Sequence, residues 1–290
     1  MIIDSHAHYA YDRFTGEFPY LCKRDGAYAV AHGTLDDLLC EMRQNGIVGT
    51  VEASIGYEDL DGQMALVAAL QPYVHTTVGV HPTRCIHTAW KNRKNLRAYV
   101  QQNKPVAIGE TGLDYHHPRK EQRRLRQKRW FRYQLKLADE LKLPLVLHIR
   151  RADRDALRIL QANRTRLHGG VVHCFTGDAA LANQYVALGL CIGIGGKLLW
   201  ENEEGREICE AVKRVPLSSI LVETDAPFVL PDTKELDCSK KQRRKLCNSS
   251  LILPDVIRKI AELREEPYET VEDTIYQNTL RLFGLTESAE

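Results

Sequence analysis

The sequence predicts an α/β barrel, (β/α)8, built as one domain over residues 1–290, with an extended first strand–helix loop and extra helices at its C-terminal end. Three observations lead there. Eight short runs rich in Val, Ile and Leu recur with helix-like stretches between them. The runs are close to continuously apolar, as expected of strands buried on both faces of a parallel sheet. The polar residues that interrupt them fall at the C-terminal ends of six runs, the ends that converge on one mouth in such a barrel. An open doubly wound sheet is the competing arrangement, but it would gather its ligand at a single switch point.

The elements follow in order. The first strand is 2–8, where His6 and His8 stand two apart and share one side with Asp4, because a strand repeats its facing every two residues. Residues 9–33 follow as a long aromatic stretch. A helix over 35–44 precedes strand 47–53, and one over 59–70 precedes strand 74–80. A helix over 92–103 leads to strand 106–110, and a long one over 119–143 leads to strand 145–149. Strands 170–175, 190–195 and 220–225 then alternate with helices over 151–163, 178–188 and 203–214. Beyond Leu251, Pro254 sits near the first turn of a helix, a position that suits proline, and 270–283 makes the last helix before Gly284.

Hydrophobic residues make up 43% of the chain and charged residues 27%, a globular rather than disordered balance. The net charge of +2 means that affinity for a polyanion must come from local patches. Eight scattered cysteines without a C-x-x-C pair read as reduced thiols. The first eight residues are too polar for a signal peptide, and no apolar run reaches the roughly 18 residues of a membrane span. A cytoplasmic protein is expected.

His6, His8, His81, Glu110, His148, His173, Glu223 and Asp225 occupy the strand ends. Buried without partners, such groups would cost roughly several kcal/mol each, and metal ions would supply the partners. His6, His8 and Asp225 can hold one divalent ion, His148 and His173 a second, with Glu110 bridging. Two ions about 3.5–4 Å apart can clamp the attacking and leaving oxygens of a displacement and make hydroxide available near neutral pH. Asp225 can also take the proton from that water. His81 and Glu223 are expected to orient the ligands or touch the scissile group. The ligand types leave Zn, Mg or Mn open.

Six ordered motifs, Asp4-Ser5-His6-Ala7-His8, Gly79-Val80-His81-Pro82, Gly109-Glu110-Thr111-Gly112-Leu113-Asp114-Tyr115, Pro144-Leu145-Val146-Leu147-His148, His173-Cys174-Phe175-Thr176-Gly177 and Glu223-Thr224-Asp225-Ala226-Pro227, resemble the signatures of the TatD family. The resemblance spans residue 2 to about 283. It implies a metal-dependent hydrolase on a TIM barrel and deoxyribonuclease activity, typically 3′–5′ exonucleolytic, through attack by a metal-bound hydroxide. The family's metal ligands fall on His6, His8, Glu110, His148, His173 and Asp225. DNA, as single strands or strand ends, is the implied substrate.

There are departures. Where the family commonly carries an Arg-Asn-Glu-Pro-like stretch, this chain has Lys245-Leu246-Cys247-Asn248-Ser249-Ser250 and keeps only the asparagine. Thr111 stands where Ile or Val is usual and reads as neutral. Residues 9–33 are longer than the family's first loop; they are expected to form a lid, with Tyr11 and Phe14 as candidates to stack on an unpaired base. Lys240, Lys241, Arg243 and Arg244 lie in a basic loop after the last strand and are candidates for phosphate contact, with Arg150 and Lys197 as weaker ones. The basic run 119–136 reads as a solvated helix face. Two alternatives stand beside the nuclease reading. One is an amidohydrolase acting on a small amide or ester, disfavoured because Glu110 replaces the modified lysine that often bridges such metals. The other is a non-catalytic binding subunit, disfavoured by the intact ligand set. The PHP-type phosphoesterases also open with H-x-H, but the Gly109–Asp114 motif points away from them.

Overall fold

A computed structural model of the chain describes residues 1–56, 60–116, 121–232, 236 and 238–287. Eight parallel strands form the barrel: β1 (Ile2–Ala7), β4 (Ile47–Glu52), β5 (Val74–Val78), β6 (Ala107–Asp114), β7 (Leu145–Arg150), β8 (Gly170–Val172), β9 (Cys191–Ile194) and β10 (Ile220–Val222), neighbours in that order. The first and last meet through a short seam. Ala7 bridges Ala226, the His8 amide donates to the Ala226 carbonyl at 2.8 Å, and the Asp225 amide donates to the His6 carbonyl at 2.9 Å.

The helices between strands are α1 (Leu35–Gln44), α2 (Leu60–Leu70), α3 (Arg93–Asn103), α4 (Glu121–Leu141), α5 (Asp153–Gln161), α6 (Ala179–Val186) and α7 (Glu203–Arg214). Thr34 and Asp37 cap α1 reciprocally, so its start follows from the sequence. α8 (Lys240–Arg243), α9 (Leu253–Arg264) and α10 (Tyr268–Phe283) follow the last strand. The expected helix starts at Asp59 and Arg119 lie outside the described residues. No helix among those described is long and apolar enough to cross a membrane.

Alternation explains why the barrel is solid below its polar rim. Val146 and His148 share a facing on β7, and Val171 and His173 continue one facing along β8 and past its end. Val146 and Val171 join Val51, Ala107, Leu221 and Phe283 of α10 in one buried cluster. The imidazoles therefore point inward on top of a packed floor, a layered interior typical of this architecture.

Residues 9–33 are not a structureless loop. β2 (Phe18–Arg24) and β3 (Ala27–Gly33) pair antiparallel, with Arg24 opposite Ala27. The two-residue turn is Asp25-Gly26, both at positive φ (51° and 83°), as a type I′ hairpin requires. The hairpin docks on the stretch after the last strand: Tyr20 bridges Cys247, and the Leu21 amide donates to the Cys247 carbonyl at 2.9 Å. The basic segment 240–245, expected as a loop, opens with the short helix α8, capped reciprocally by Ser239 and Gln242.

Candidate metal centre

β1 carries His6 and, just past its end, His8; β6 carries Glu110; β7 carries His148; the residues after β8 and β10 carry His173 and Asp225. The fold brings all six to the barrel mouth. Together with His81, their ligand atoms form overlapping groups in which every pair lies within 4.8 Å: His6, His8 and Asp225; His6, Glu110 and His173; His81, Glu110 and His148. His6 Nε2 and His8 Nε2 are 3.2 Å apart, and Asp225 Oδ1 is 3.2 Å from His8 Nε2 and 3.7 Å from His6 Nε2. Glu110 faces both sides. Its Oε1 is 2.8 Å from His148 Nδ1 and 2.8 Å from His173 Nε2, while its Oε2 is 3.7 Å from His6 Nε2.

These spacings suit cations. Donors about 2.0–2.1 Å from a metal stand about 3.4 Å apart at tetrahedral angles and about 2.9 Å apart at right angles. The pairs above fall in or close to that span. The nitrogens are also presented correctly. A carbonyl only accepts, so the Ala53 carbonyl, 2.8 Å from His8 Nδ1, fixes a proton there and makes Nε2 the nitrogen that can be bared toward the centre.

The same logic applies to His148, whose Nε2 stands 3.2 Å from Asp114 Oδ2, so that Nδ1 faces Glu110. The Asp225 backbone is left-handed (φ 55°), a conformation uncommon for non-glycine residues, at the point where its side chain turns into the mouth.

Electrostatics follow from burial and crowding. Burial alone would raise the Glu110 carboxyl, but the charges of His173 and His81 and hydrogen bonds from His148 and His173 hold it well below the ordinary range. Burial and the neighbouring His173 push His6 well down. Burial would also lower His8, yet the hydrogen bond and charge of Asp225, with Glu110 and Glu52, lift it to about 9.

The chain matches the family described as TatD related DNase over residues 3–284. It belongs to that family. The 3′-5′ ssDNA/RNA exonuclease TatD of Pantoea sp. (strain At-9b) is 33% identical over 252 residues, 86% of this chain and 93% of the relative. The uncharacterized metal-dependent hydrolase YabD of Bacillus subtilis (strain 168) is 32% identical over 213 residues, 73% of this chain and 78% of the relative. The crystal structure of YJJV, a TatD homolog from Escherichia coli K12, has a similar fold, with a TM-score of 0.78 at 24% identity over 98% of both chains.

Within this TatD-family barrel the remaining sequence candidates separate. His81 Nε2 lies 3.4 Å from Glu110 Oε1, and its Nδ1 is 2.6 Å from the Thr83 hydroxyl. Glu223 sits behind the centre: it accepts from the Cys174 amide and stands 3.6 Å from His173 Nδ1. Gly193 makes room for it, since a Cβ there would meet Glu223 Oε2 at 2.3 Å. Arg150 is exposed at the end of β7. Lys197 is held by Glu204 at 3.0 Å, which weakens it as a phosphate contact. Lys240, Lys241 and Arg244 are exposed, and Arg243 reaches the Leu236 carbonyl. Along α4 most of the basic side chains are exposed, as on a solvated helix face, while some also serve the fold: Lys128 pairs with Asp155 at 2.7 Å, and Arg129 lies over the Trp90 ring.

Phe14 is a correction. It is 4% exposed, packed between Tyr9 and Phe18, and has no face to offer a base. Thr111 is another, because it is not neutral. Its hydroxyl accepts from Gln134 Nε2 at 2.7 Å, and Gln134 Oε1 accepts from the Val80 amide at 2.7 Å, tying α4 to the middle of β6 and to the segment just past β5.

Sequence reasoning gave no role to Asp4, Glu52, Asp114 and Ser250. Asp4 Oδ2 accepts from the Thr224 and Ser250 hydroxyls at 2.6 and 2.7 Å, and Glu52 accepts the Tyr9 and Ala10 amides. Burial lifts the Asp4 carboxyl to about 7 against these bonds. The altered stretch at 245–250 belongs to the same network. Asn248 Nδ2 donates to the Thr224 and Val229 carbonyls, and the Ser249 hydroxyl donates to the Leu21 carbonyl. These residues join the hairpin to the loop bearing Asp225.

Proposed function

We propose that this chain, read as one hydrolase domain over residues 1–290, cleaves phosphodiester bonds of DNA as a 3′–5′ exonuclease with two divalent cations, acting on single strands or strand ends. The observation that carries the reading is Glu110. Its two oxygens face two sets of donors, His6, His8 and Asp225 on one side and His148, His173 and His81 on the other. One carboxylate shared between two such sets is the arrangement a bridging ligand needs. Bound cations of the Zn, Mg or Mn class would lower the pKa of water and neutralise charge developing on a phosphoryl oxygen.

The chain's own residues do the rest. Asp225, with its side chain 18% exposed, is the most open carboxylate of the centre. The carboxylate oxygen not turned to the cation can accept the proton of an attacking water. Glu110, held ionised by its imidazole neighbours, stays a charged acceptor through the neutral range. His81 lines the pocket together with Thr83, Arg84 and His87, where a phosphate oxygen can approach. Arg150 and the exposed cations Lys240, Lys241 and Arg244, with Arg243, would hold the flanking backbone. The unpaired state of all eight cysteines suits a reducing, cytoplasmic setting.

The test offers the purified protein 5′-labelled single-stranded DNA, duplex DNA and a cyclic amide with Mg²⁺, Mn²⁺ or Zn²⁺. The expected result is stepwise shortening of single-stranded DNA from its 3′ end, lost in Glu110→Gln and in Asp225→Asn. Turnover of the amide alone, or of nothing with any metal, would overturn the reading.

A further inference from the structure

Among the described residues only four large hydrophobic side chains are exposed: Met1, Tyr11, Leu125 and Phe228. Two of the four touch each other at the metal centre. The rings of Tyr11 and Phe228 lie 5.5 Å apart at 66°, and Phe228 also packs edge-on against the His8 imidazole at 6.2 Å. Both line the cavity that contains His8, His81, Glu110, His148, His173 and Asp225. Water-exposed aromatic surface costs free energy, and when it is paired beside a reaction centre it marks a contact site.

The backbone explains why both rings arrive there. The Tyr11 amide donates to the His8 carbonyl at 3.1 Å, and the Phe228 amide donates to the Asp225 carbonyl at 2.8 Å. Each ring thus hangs by one turn from a residue that offers a ligand to the same cation position. The two come from opposite sides of the barrel seam and close over it. Phe14, three residues further on, is instead swallowed by the hairpin, so the lid contributes one exposed ring at this rim.

The geometry points to Tyr11 and Phe228 as a stacking platform for the terminal base of the single strand being cut. This inference rests on the nuclease reading above. A nucleobase is the flat apolar group nearest to a phosphate that lies on the His8–Asp225 side, separated from it by one sugar. The tilted rings already touch, so no base slides between them; a single base lies on the outer face of the pair. Stacking uses the π-face that every base has, so little sequence preference is expected.

The experiment uses two oligonucleotides that differ only at the 3′ end, one carrying a base and one abasic, and reads kcat/KM for each. The wild type should favour the base-bearing end by on the order of 10- to 100-fold, the range of one base–aromatic stack. In Tyr11→Leu/Phe228→Leu that preference should collapse, through KM more than kcat, and Phe228→Tyr should keep it. A parallel measurement needs no turnover: terminal 2-aminopurine should be quenched on binding to the wild type and stay bright on the double variant at matched occupancy. A preference kept by the double variant, or binding without quenching in the wild type, would overturn the platform while leaving the nuclease reading intact. A wild type that cuts no DNA would overturn the nuclease reading itself, and the platform with it.

Discussion

Asp114→Asn should strip one cation position and spare the other. The His148 ring can face Glu110 with a bare Nδ1 only if its proton sits on Nε2, and Asp114 Oδ2, at 3.2 Å, is the acceptor that keeps it there. The other oxygen, Oδ1, is committed to the His116 amide at 2.8 Å. A carboxylate accepts at both oxygens; an amide accepts at one and donates at the other. In the variant the single oxygen stays with His116, and the amide NH₂ turns toward Nε2. That favours the wrong tautomer, with Nδ1–H aimed at Glu110. Losing such an orienting partner typically weakens a metal site 10- to 100-fold, about 1.4–2.7 kcal/mol. The side chain keeps its shape, so the metal-free protein should melt close to the wild-type temperature. Competition with a chromogenic chelator, together with metal content after dialysis, reads the effect: one equivalent should be held as in the wild type and one lost early. Two equivalents held with wild-type affinity would refute the assignment of the His148 tautomer and of its role.

Three further outcomes are expected. In the metal-free protein the His8 proton is held up to about 9, and it must leave before Nε2 can take a cation. Apparent affinity at that position should therefore rise as pH increases toward 9, by about tenfold per unit for a single proton, and level off above; a flat profile from pH 6 to 9 would contradict it. Gly193→Ala places a Cβ 2.3 Å from Glu223 Oε2 and 3.2 Å from the His173 Cα. Overpacking of this kind costs about 1–3 kcal/mol, so thermal denaturation should show a Tm lower by a few degrees and a weakened centre, whereas an unchanged Tm would show that the neighbours yield. Changing Lys240, Lys241, Arg243 and Arg244 to Gln should reduce the slope of log affinity against log salt for single-stranded DNA by up to about 3; an unchanged slope in a fluorescence-anisotropy titration would remove these residues from the interface.

The barrel and its polar rim were legible because both are written locally. Val146 and His148, or Val171 and His173, carry apolar floor and polar rim at a two-residue spacing that any parallel strand would express. Asp25-Gly26 is equally legible as a hairpin turn, since both residues favour positive φ. Other features were hidden because they depend on distant partners. Thr111 looks like a neutral replacement until Gln134, 23 residues on, is seen to donate to it. Ser250 looks like a lost motif position until its hydroxyl is found on Asp4, across 246 residues of sequence. Asp114 lay inside a motif already noted, yet only the fold shows which face of His148 it holds. Tyr11 and Phe14 could not be told apart in sequence; the hairpin buries one and leaves the other in solvent.

The meeting of the first and last strands is the sparsest junction of the barrel, one bridge and a few amide bonds. His6 and His8 stand on one bank and Asp225 on the other. An ion captured between them would act as a rivet across that gap. Removing it should let amides near Ala7 and Ala226 exchange with solvent sooner than those between β6 and β7. The reaction centre would then also set how tightly the cylinder is shut.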